Sequence, residues 1–288
     1  MATTSAKPPL TNRGVTEKAG CAFSVGIDWL TVTVANDKRG FDLYDIARNY
    51  WISLGVKSRD WRNKWYTGRT GEGVTWGTGK NGYILMASGQ AAPKVWKKCL
   101  LVKTRVTRID LQVTAKLQKP QPGLIETCYH YIRENRRFTK RRKYGLIQNT
   151  KQGVTLYAGS RQSQQYGRFY DKGIESNLEQ PGTLYRYEVE LKKPLSGSLA
   201  DYLITSLQDG IYPEKELVWY VYNWWLDRGV LPIFNPNRAA TIEVTGMKVQ
   251  TDNERKIQWL RTQVAPTISR LEQDGRLEDA LEALGLKI

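Results

Sequence analysis

The stretch from Thr155 to Glu190, TLYAGSRQSQQYGRFYDKGIESNLEQPGTLYRYEVE, alternates by twos and constrains the fold more than any other part of the chain. Leu156, Phe169, Tyr187 and Val189 sit at alternating positions, while Gly159, Ser160, Pro181 and Gly182 punctuate them. That spacing predicts a strand, a tight turn, a second strand, a short helical link and a third strand. Side chains in a strand point to opposite faces in turn. On the second strand Arg168, Tyr170 and Lys172 therefore share a face opposite Phe169, and on the third Arg186, Glu188 and Glu190 share one opposite Tyr187 and Val189.

Upstream, TRIDLQVTA at residues 107 to 115 repeats the pattern, with Ile109, Leu111 and Val113 on one face and Arg108, Asp110 and Gln112 on the other. Pairing these strands in one sheet would bring a tyrosine, three carboxylates and several cationic groups onto one surface. Carboxylate oxygens can hold a hard divalent cation while arginine and lysine hold phosphate. An exposed sheet face laced with cross-strand ion pairs is the other reading of the same pattern.

Charge points to the partner class. Lys and Arg number 44 against 28 Asp and Glu, a formal net charge of +16, and such a surplus favours a polyanion because each neutralised phosphate releases counterions. No apolar run approaches the length of a membrane span, and MATTSAKPPLTNRG lacks the apolar core of a signal peptide, so a cytoplasmic protein is expected. Cys21, Cys99 and Cys128 have neither CxxC spacing nor an even count, which suggests neither a disulfide framework nor a zinc site. The single histidine, His130, excludes a paired-histidine metal site and lies in a helical run.

Along the chain, residues 1 to 18 read as a disordered arm and FSVGIDWLTVTV, residues 23 to 34, as a core strand that contains Asp28, a weak candidate site residue. Residues 41 to 55 have helical spacing. From 59 to 89, Trp61, Trp65, Tyr66 and Trp76 interleave with Arg59, Arg62, Lys64, Arg69 and Lys80, a pattern suited to stacking bases and holding phosphates, or to the core of a β-meander. GTGKNG, residues 77 to 82, matches a dinucleotide fingerprint by letters, but it sits between strands and reads as a hairpin turn. Residues 91 to 102 and 124 to 135 read as helices, and the basic block Arg136, Arg137, Lys140, Arg141, Arg142 and Lys143 as a DNA contact or a solvated loop. Helical runs follow at 199 to 210 and 214 to 229, Pro232 and Asn235-Pro236 mark a boundary, and Ile257, Leu260, Val264, Ile268 and Leu271 line a further helical segment.

The expected architecture is α+β, with an antiparallel sheet core of two similar halves backed by helices, four or five strands in the sheet, and a helical C-terminal appendage. The expected divisions are an arm at 1–18, a catalytic nicking domain at 19–195, a helical extension at 196–235 and the appendage at 236–288.

YAGSRQS followed by RFYDKGIE, with RID upstream and YRYEVEL downstream, resembles the Rep_trans family of rolling-circle replication initiators and the related relaxases of integrative conjugative elements. The family carries a YxGSRxS turn, a YxK strand ending in an acidic residue, an RxD strand before it and an RxE strand after it. The resemblance implies that a tyrosine hydroxyl attacks one DNA strand, staying on the new 5′ end and leaving a 3′ hydroxyl primer. It places Tyr170 as the nucleophile with Tyr166 as the alternate, and Arg168 and Lys172 beside it. Asp110, Glu188 and Glu190 are the implied ligands of Mg²⁺ or Mn²⁺, and Arg161, Arg186 and Arg108 the implied DNA contacts. Implied partners are origin DNA, single-stranded or cruciform, a helicase, since the chain has no P-loop, and a second copy in a homodimer. A non-catalytic origin-binding protein and an RNA-binding module are the competing readings.

Overall fold

The computed structural model describes residues 16–18, 21–140, 143–149, 153–176, 179–210, 213–234, 265–276 and 278. It divides into two compact units, Met1–Val244 and Thr245–Ile288. The first unit begins with β1 (Thr16–Lys18) and the long β2 (Cys21–Val34), followed by α1 (Arg39–Ser53). A meander comes next, β3 (Arg59–Arg62), β4 (Tyr66–Gly71), β5 (Val74–Gly79) and β6 (Gly82–Ser88), closed by α2 (Ala92–Leu101). The pattern then repeats. β7 (Arg105–Leu117) leads to α3 (Leu124–Glu134), the short α4 (Arg136–Thr139), β8 (Tyr144–Asn149), β9 (Gly153–Gly159) and β10 (Gln165–Asp171). After α5 (Lys172–Ser176) come β11 (Leu184–Lys192), α6 (Leu195–Gln208) and α7 (Glu214–Leu226).

All the pairings are antiparallel and form one sheet in the order β3-β4-β5-β6-β2-β7-β11-β10-β9-β8, with β1 on β2. The order mirrors itself about the β2–β7 seam, five strands on each side. The expected pair of similar halves is present. The expected four or five strands fall short of the sheet: the halves carry six strands, counting β1, and five, and the β2–β7 pairing fuses them into a single eleven-stranded sheet among the described residues. β1 also places ordered backbone inside the expected arm, whose residues 1–15 lie outside the described residues.

One face of this sheet is the core. Phe23, Val25, Ile27, Leu111, Val113, Phe169, Tyr187 and Val189 are buried there under the helices. α1 buries Leu43, Ala47, Tyr50 and Trp51 at helical spacing, and α7 buries Leu217, Val221, Trp224 and Trp225. Phe169 stacks on Tyr187 at 4.2 Å, and Trp225 meets both edge-on at 6.2 Å, which braces the strands from behind. α6 and α7 thus pack on the same sheet as the earlier helices. GTGKNG is the β5–β6 hairpin turn, as its strand context requires.

Gly167 shows how tightly this rear face is packed. A Cβ there would run into the rings of Trp224 and Trp225. Gly167→Val is therefore expected to cost about 1–3 kcal/mol by overpacking, read as a lowered midpoint in thermal denaturation. An unchanged midpoint would mean that the two indoles can retreat.

Within the second unit the described helix is α8 (Ala265–Gln273), with Ile268 and Leu271 on it. Ile257, Leu260 and Val264 lie outside the described residues.

Candidate active site

The face of the sheet opposite the helices carries the polar residues, and the register sets their order across the strands. One rung runs Tyr166, Glu190, Asp110, Trp29; the next runs Tyr157, Arg168, Glu188, Gln112, Gly26; the third runs Thr155, Tyr170, Arg186, Thr114, Ser24. The alternation read from the sequence therefore holds for Arg168 and Tyr170 on β10, for Arg186, Glu188 and Glu190 on β11, and for Arg108 and Asp110 on β7. Lys172 departs from it. β10 ends at Asp171, whose buried carboxylate accepts the Ile174 N–H at 3.2 Å and the Gly182 N–H at 2.5 Å. The chain turns into α5, and Lys172 pairs with Glu175 instead of lining up behind Tyr170.

Like charges face each other where Glu190 stands directly across from Asp110, an arrangement that is unfavourable unless a cation bridges it. Arg108 is that bridge. Its Nε and Nη2 donate to Asp110 at 2.8 and 2.5 Å, Nη2 also lies 3.0 Å from Glu190 Oε2, and its guanidinium covers the Trp29 ring at 4.6 Å. Arg168 Nη2 lies 2.5 Å from Glu188 and 3.5 Å from Asp110. Lys192 Nζ meets Glu190 at 2.8 Å, and Arg186 spans Asp28 at 3.3 Å and Thr114 at 2.9 Å. Burial pushes the Asp110 carboxyl up to about 6 even though Arg108 pulls the other way.

Tyr170 donates its hydroxyl to Glu188 Oε1 at 2.6 Å. Burial, and then the negative charge of Glu188, hold the phenol well above its ordinary range, so it stays protonated until something takes the proton. Glu188 is itself raised, first by burial and further by the Asp28 charge, against the lowering effect of Arg168. A carboxylate with raised proton affinity, already hydrogen-bonded to a phenol, is placed as a proton acceptor. The Tyr166 ring is 7% exposed, stacked on Tyr157 at 5.7 Å and capped by Arg161 at 5.8 Å.

The other expected DNA contacts divide between two places. Arg161 is exposed on the β9–β10 turn, and the Gly159 N–H donates to the Lys143 carbonyl, which brings Lys143 beside that turn. Arg136, Arg137 and Lys140 belong to the helix layer, where Phe138 of α4 is buried against Gly229. Arg141 and Arg142 lie outside the described residues.

Some residues of the site carried no role in the sequence reading. Gln112 is 3% exposed, and its Oε1 has no hydrogen-bond partner among the described residues although it faces the carboxylates. Lys192 and Lys193 join Thr31, Arg108, Gln162 and Ser163 in an open groove of about 440 Å³ beside Glu190. The period of two that singled out Arg108 and Asp110 also selects Gln112, and it continues from Glu190 to Lys192.

As they stand, no three acidic, histidine or cysteine groups among the described residues converge tightly enough to chelate one ion. The donor set nevertheless suits Mg²⁺ or Mn²⁺ in kind. Asp110 and Glu190 are opposed hard-oxygen donors, and Gln112, whose Oε1 has no hydrogen-bond partner among the described residues, stands in the next rung across from Glu188.

The model of a protein family described as replication initiation factor, Rep_trans, matches residues 104–284. The solved structure of a rolling circle replication initiator protein from Geobacillus stearothermophilus is similar with a TM-score of 0.51 at 17% identity, covering 77% of this chain and 90% of that one. At that identity the likeness is one of fold. No curated protein matches the chain. No helix among the described residues is long and apolar enough to cross a membrane.

Proposed function

The chain belongs to the replication initiation factor family, and from that membership together with the hydrogen bond from Tyr170 to Glu188 we propose that it starts rolling-circle replication by nicking one DNA strand. In this reading Tyr170 Oη attacks the scissile phosphorus in line and its proton passes to Glu188. The bond from phosphorus to the 3′ oxygen breaks, that oxygen takes a proton from water, and the new 5′ phosphate stays on the tyrosine. The free 3′ hydroxyl then primes synthesis. Arg168, Arg186, Arg161 and the Arg108–Lys192 groove hold the phosphates on either side. Asp110 and Glu190, with Glu188 beside them, would hold Mg²⁺ or Mn²⁺, which when bound supplies positive charge to the phosphate and the departing oxygen.

A cytoplasmic location, a helicase partner for strand separation and use by a plasmid, a phage or a conjugative element follow from the same reading, as does pairing of two copies. A second reading, a non-catalytic origin-binding protein, draws on one observation: Asp110, Glu188 and Glu190 are all ion-paired to arginine or lysine, as structural carboxylates would be.

The deciding experiment incubates the protein with supercoiled or single-stranded DNA carrying the cognate origin, with Mg²⁺ or Mn²⁺ and with EDTA. The expected result is a covalent adduct on the 5′ side of the nick, with EDTA lowering its rate by about 10²-fold or more, since a bound metal contributes several kcal/mol to such a step. Binding without cleavage under every condition would leave the second reading in place. Cleavage that EDTA leaves untouched would assign charge stabilisation to the arginines alone.

A further inference from the structure

The first half of the sheet continues the open face beyond the active site, and it carries aromatic rings on a floor of glycine. Trp61 on β3 lies across from Gly68, which lies across from Gly77, so the rung beneath the indole has no side chains of its own. The ring reaches over β5: a Cβ on Gly77 would sit 2.9 Å from Trp61 Cζ3, and one on Gly79 would sit 2.9 Å from the Tyr66 ring. Trp76 points the other way, into the core against Tyr44 of α1. Trp65 at the β3–β4 turn is 68% exposed, with Lys64 over its ring at 4.7 Å, and Arg59 stands on the Trp61 face two residues back.

A second rung links these rings to the active site. It runs Arg59, Thr70, Thr75, Met86, Thr31, Arg108, Lys192, crossing from β3 to β11 with a cation at each end and no carboxylate between. Its last three members line or adjoin the basic groove beside Glu190. At about 4.8 Å per strand, Arg59 and Arg108 are about 24 Å apart, the reach of several nucleotides of single strand.

We propose that Trp61, Tyr66 and Trp65 form a stacking platform for single-stranded DNA that leaves the active site across the Arg59–Lys192 rung. The inference rests on the nicking reading only for the identity of the nucleic acid. Stacking rings serve every base, which suits a strand whose sequence varies, while the cations at the ends of the rung hold backbone phosphate. Glycine at 77 and 79 leaves room for the Trp61 and Tyr66 rings to lie along the sheet, while Gly68 admits the close approach of the Trp76 carbonyl of β5.

The test compares two single-stranded oligonucleotides, one of about 6 nucleotides confined to the nick site and one of about 20 extending from it, with a blunt duplex of the longer length as control. Trp61→Ala with Tyr66→Ala is expected to weaken the long oligonucleotide by at least about tenfold, leaving the short one and its adduct formation within about twofold. Equal affinity of the double variant and the wild type for the long oligonucleotide would overturn the proposal, as would tighter wild-type binding of the duplex. Because that variant could lose its fold, wild-type protein is also irradiated with the long oligonucleotide carrying 5-iodouracil. Cross-links in the peptide spanning residues 59–69 support the platform, and cross-links confined to residues 105–192 overturn it. Failure of any DNA to bind would instead remove the nicking reading itself.

Discussion

Tyr170→Phe is expected to lower adduct formation and nicking by at least about 10³-fold while leaving DNA affinity close to wild type and the fold intact. Only the hydroxyl is removed, so the ring keeps its packing; the loss of its hydrogen bond to the buried Glu188 carboxylate costs about 1.5–3 kcal/mol, read as a modestly lowered melting temperature. Tyr166→Phe should retain cleavage, because the Tyr166 ring is stacked on Tyr157 beneath Arg161, whereas the hydroxyl hydrogen-bonded to a carboxylate is that of Tyr170. Transfer of radiolabel from the 5′ side of the nick to protein measures both variants, and a swapped result would move the nucleophile to Tyr166. The pH dependence supplies an independent check. Glu188 accepts a proton only when ionised, and burial holds it above the ordinary carboxylate range, so the rate should rise with pH as Glu188 ionises. Glu188→Gln should flatten that limb as well as lower the rate.

Arg108→Ala is expected to be strongly destabilising, about 3–5 kcal/mol near neutral pH, because it leaves the fully buried Asp110 facing Glu190 with only Arg168 at 3.5 Å, while Glu190 keeps Lys192. The sign of its pH dependence follows from Asp110, whose pKa is raised from 3.8 to about 6 by burial even with Arg108 present. A carboxyl that is raised on folding holds its proton more tightly in the native state, so its contribution is full below the unfolded value and is lost as pH rises through the folded one. Removing Arg108 moves the folded value higher still. The deficit of Arg108→Ala should therefore shrink as pH falls from about 8 towards about 5. Adding Asp110→Asn should recover much of it at neutral pH. Denaturant unfolding at both pH values measures this. A deficit independent of pH would show that the packing of Arg108 over Trp29 outweighs its charge.

The period of two was enough to place Arg168, Tyr170, Glu188, Glu190 and Asp110 on one face, since each strand buries its other side beneath helices. It failed at Lys172 because alternation says nothing about where a strand stops; there the Asp171 carboxylate, by capping the next turn, ends β10. Register was also out of reach. That Glu190 faces Asp110, and that Arg108 must span both, depends on pairing between segments about 80 residues apart in the chain, which no local pattern encodes. The same limit hid the size of the sheet. Each half announces its own hairpins through nearby turns, but nothing near Val25 or Val113 says that these two strands meet. Gln112 was visible on the right face and drew no role, because an amide becomes informative only when burial shows that its oxygen lacks a partner.

The β2–β7 seam has a kinetic side. The β4–β5 and β9–β10 hairpins close loops of a few residues, whereas the seam pairs Val25 with Val113 and closes the longest loop between paired strands of the two halves. Loop-closure entropy grows only slowly with the chain enclosed, so the local hairpins form cheaply, while the larger cost is shared by the seam and by the β7–β11 pairing, which joins Val113 to Tyr187 inside the second half. Asp110 lies on that seam, opposite Trp29, and Arg186 reaches across it to Asp28. A second half folded by itself already holds Tyr170, Glu188, Glu190, Arg108 and Asp110 together on β10, β11 and β7, and what the seam adds to the charged face is Asp28 and Trp29.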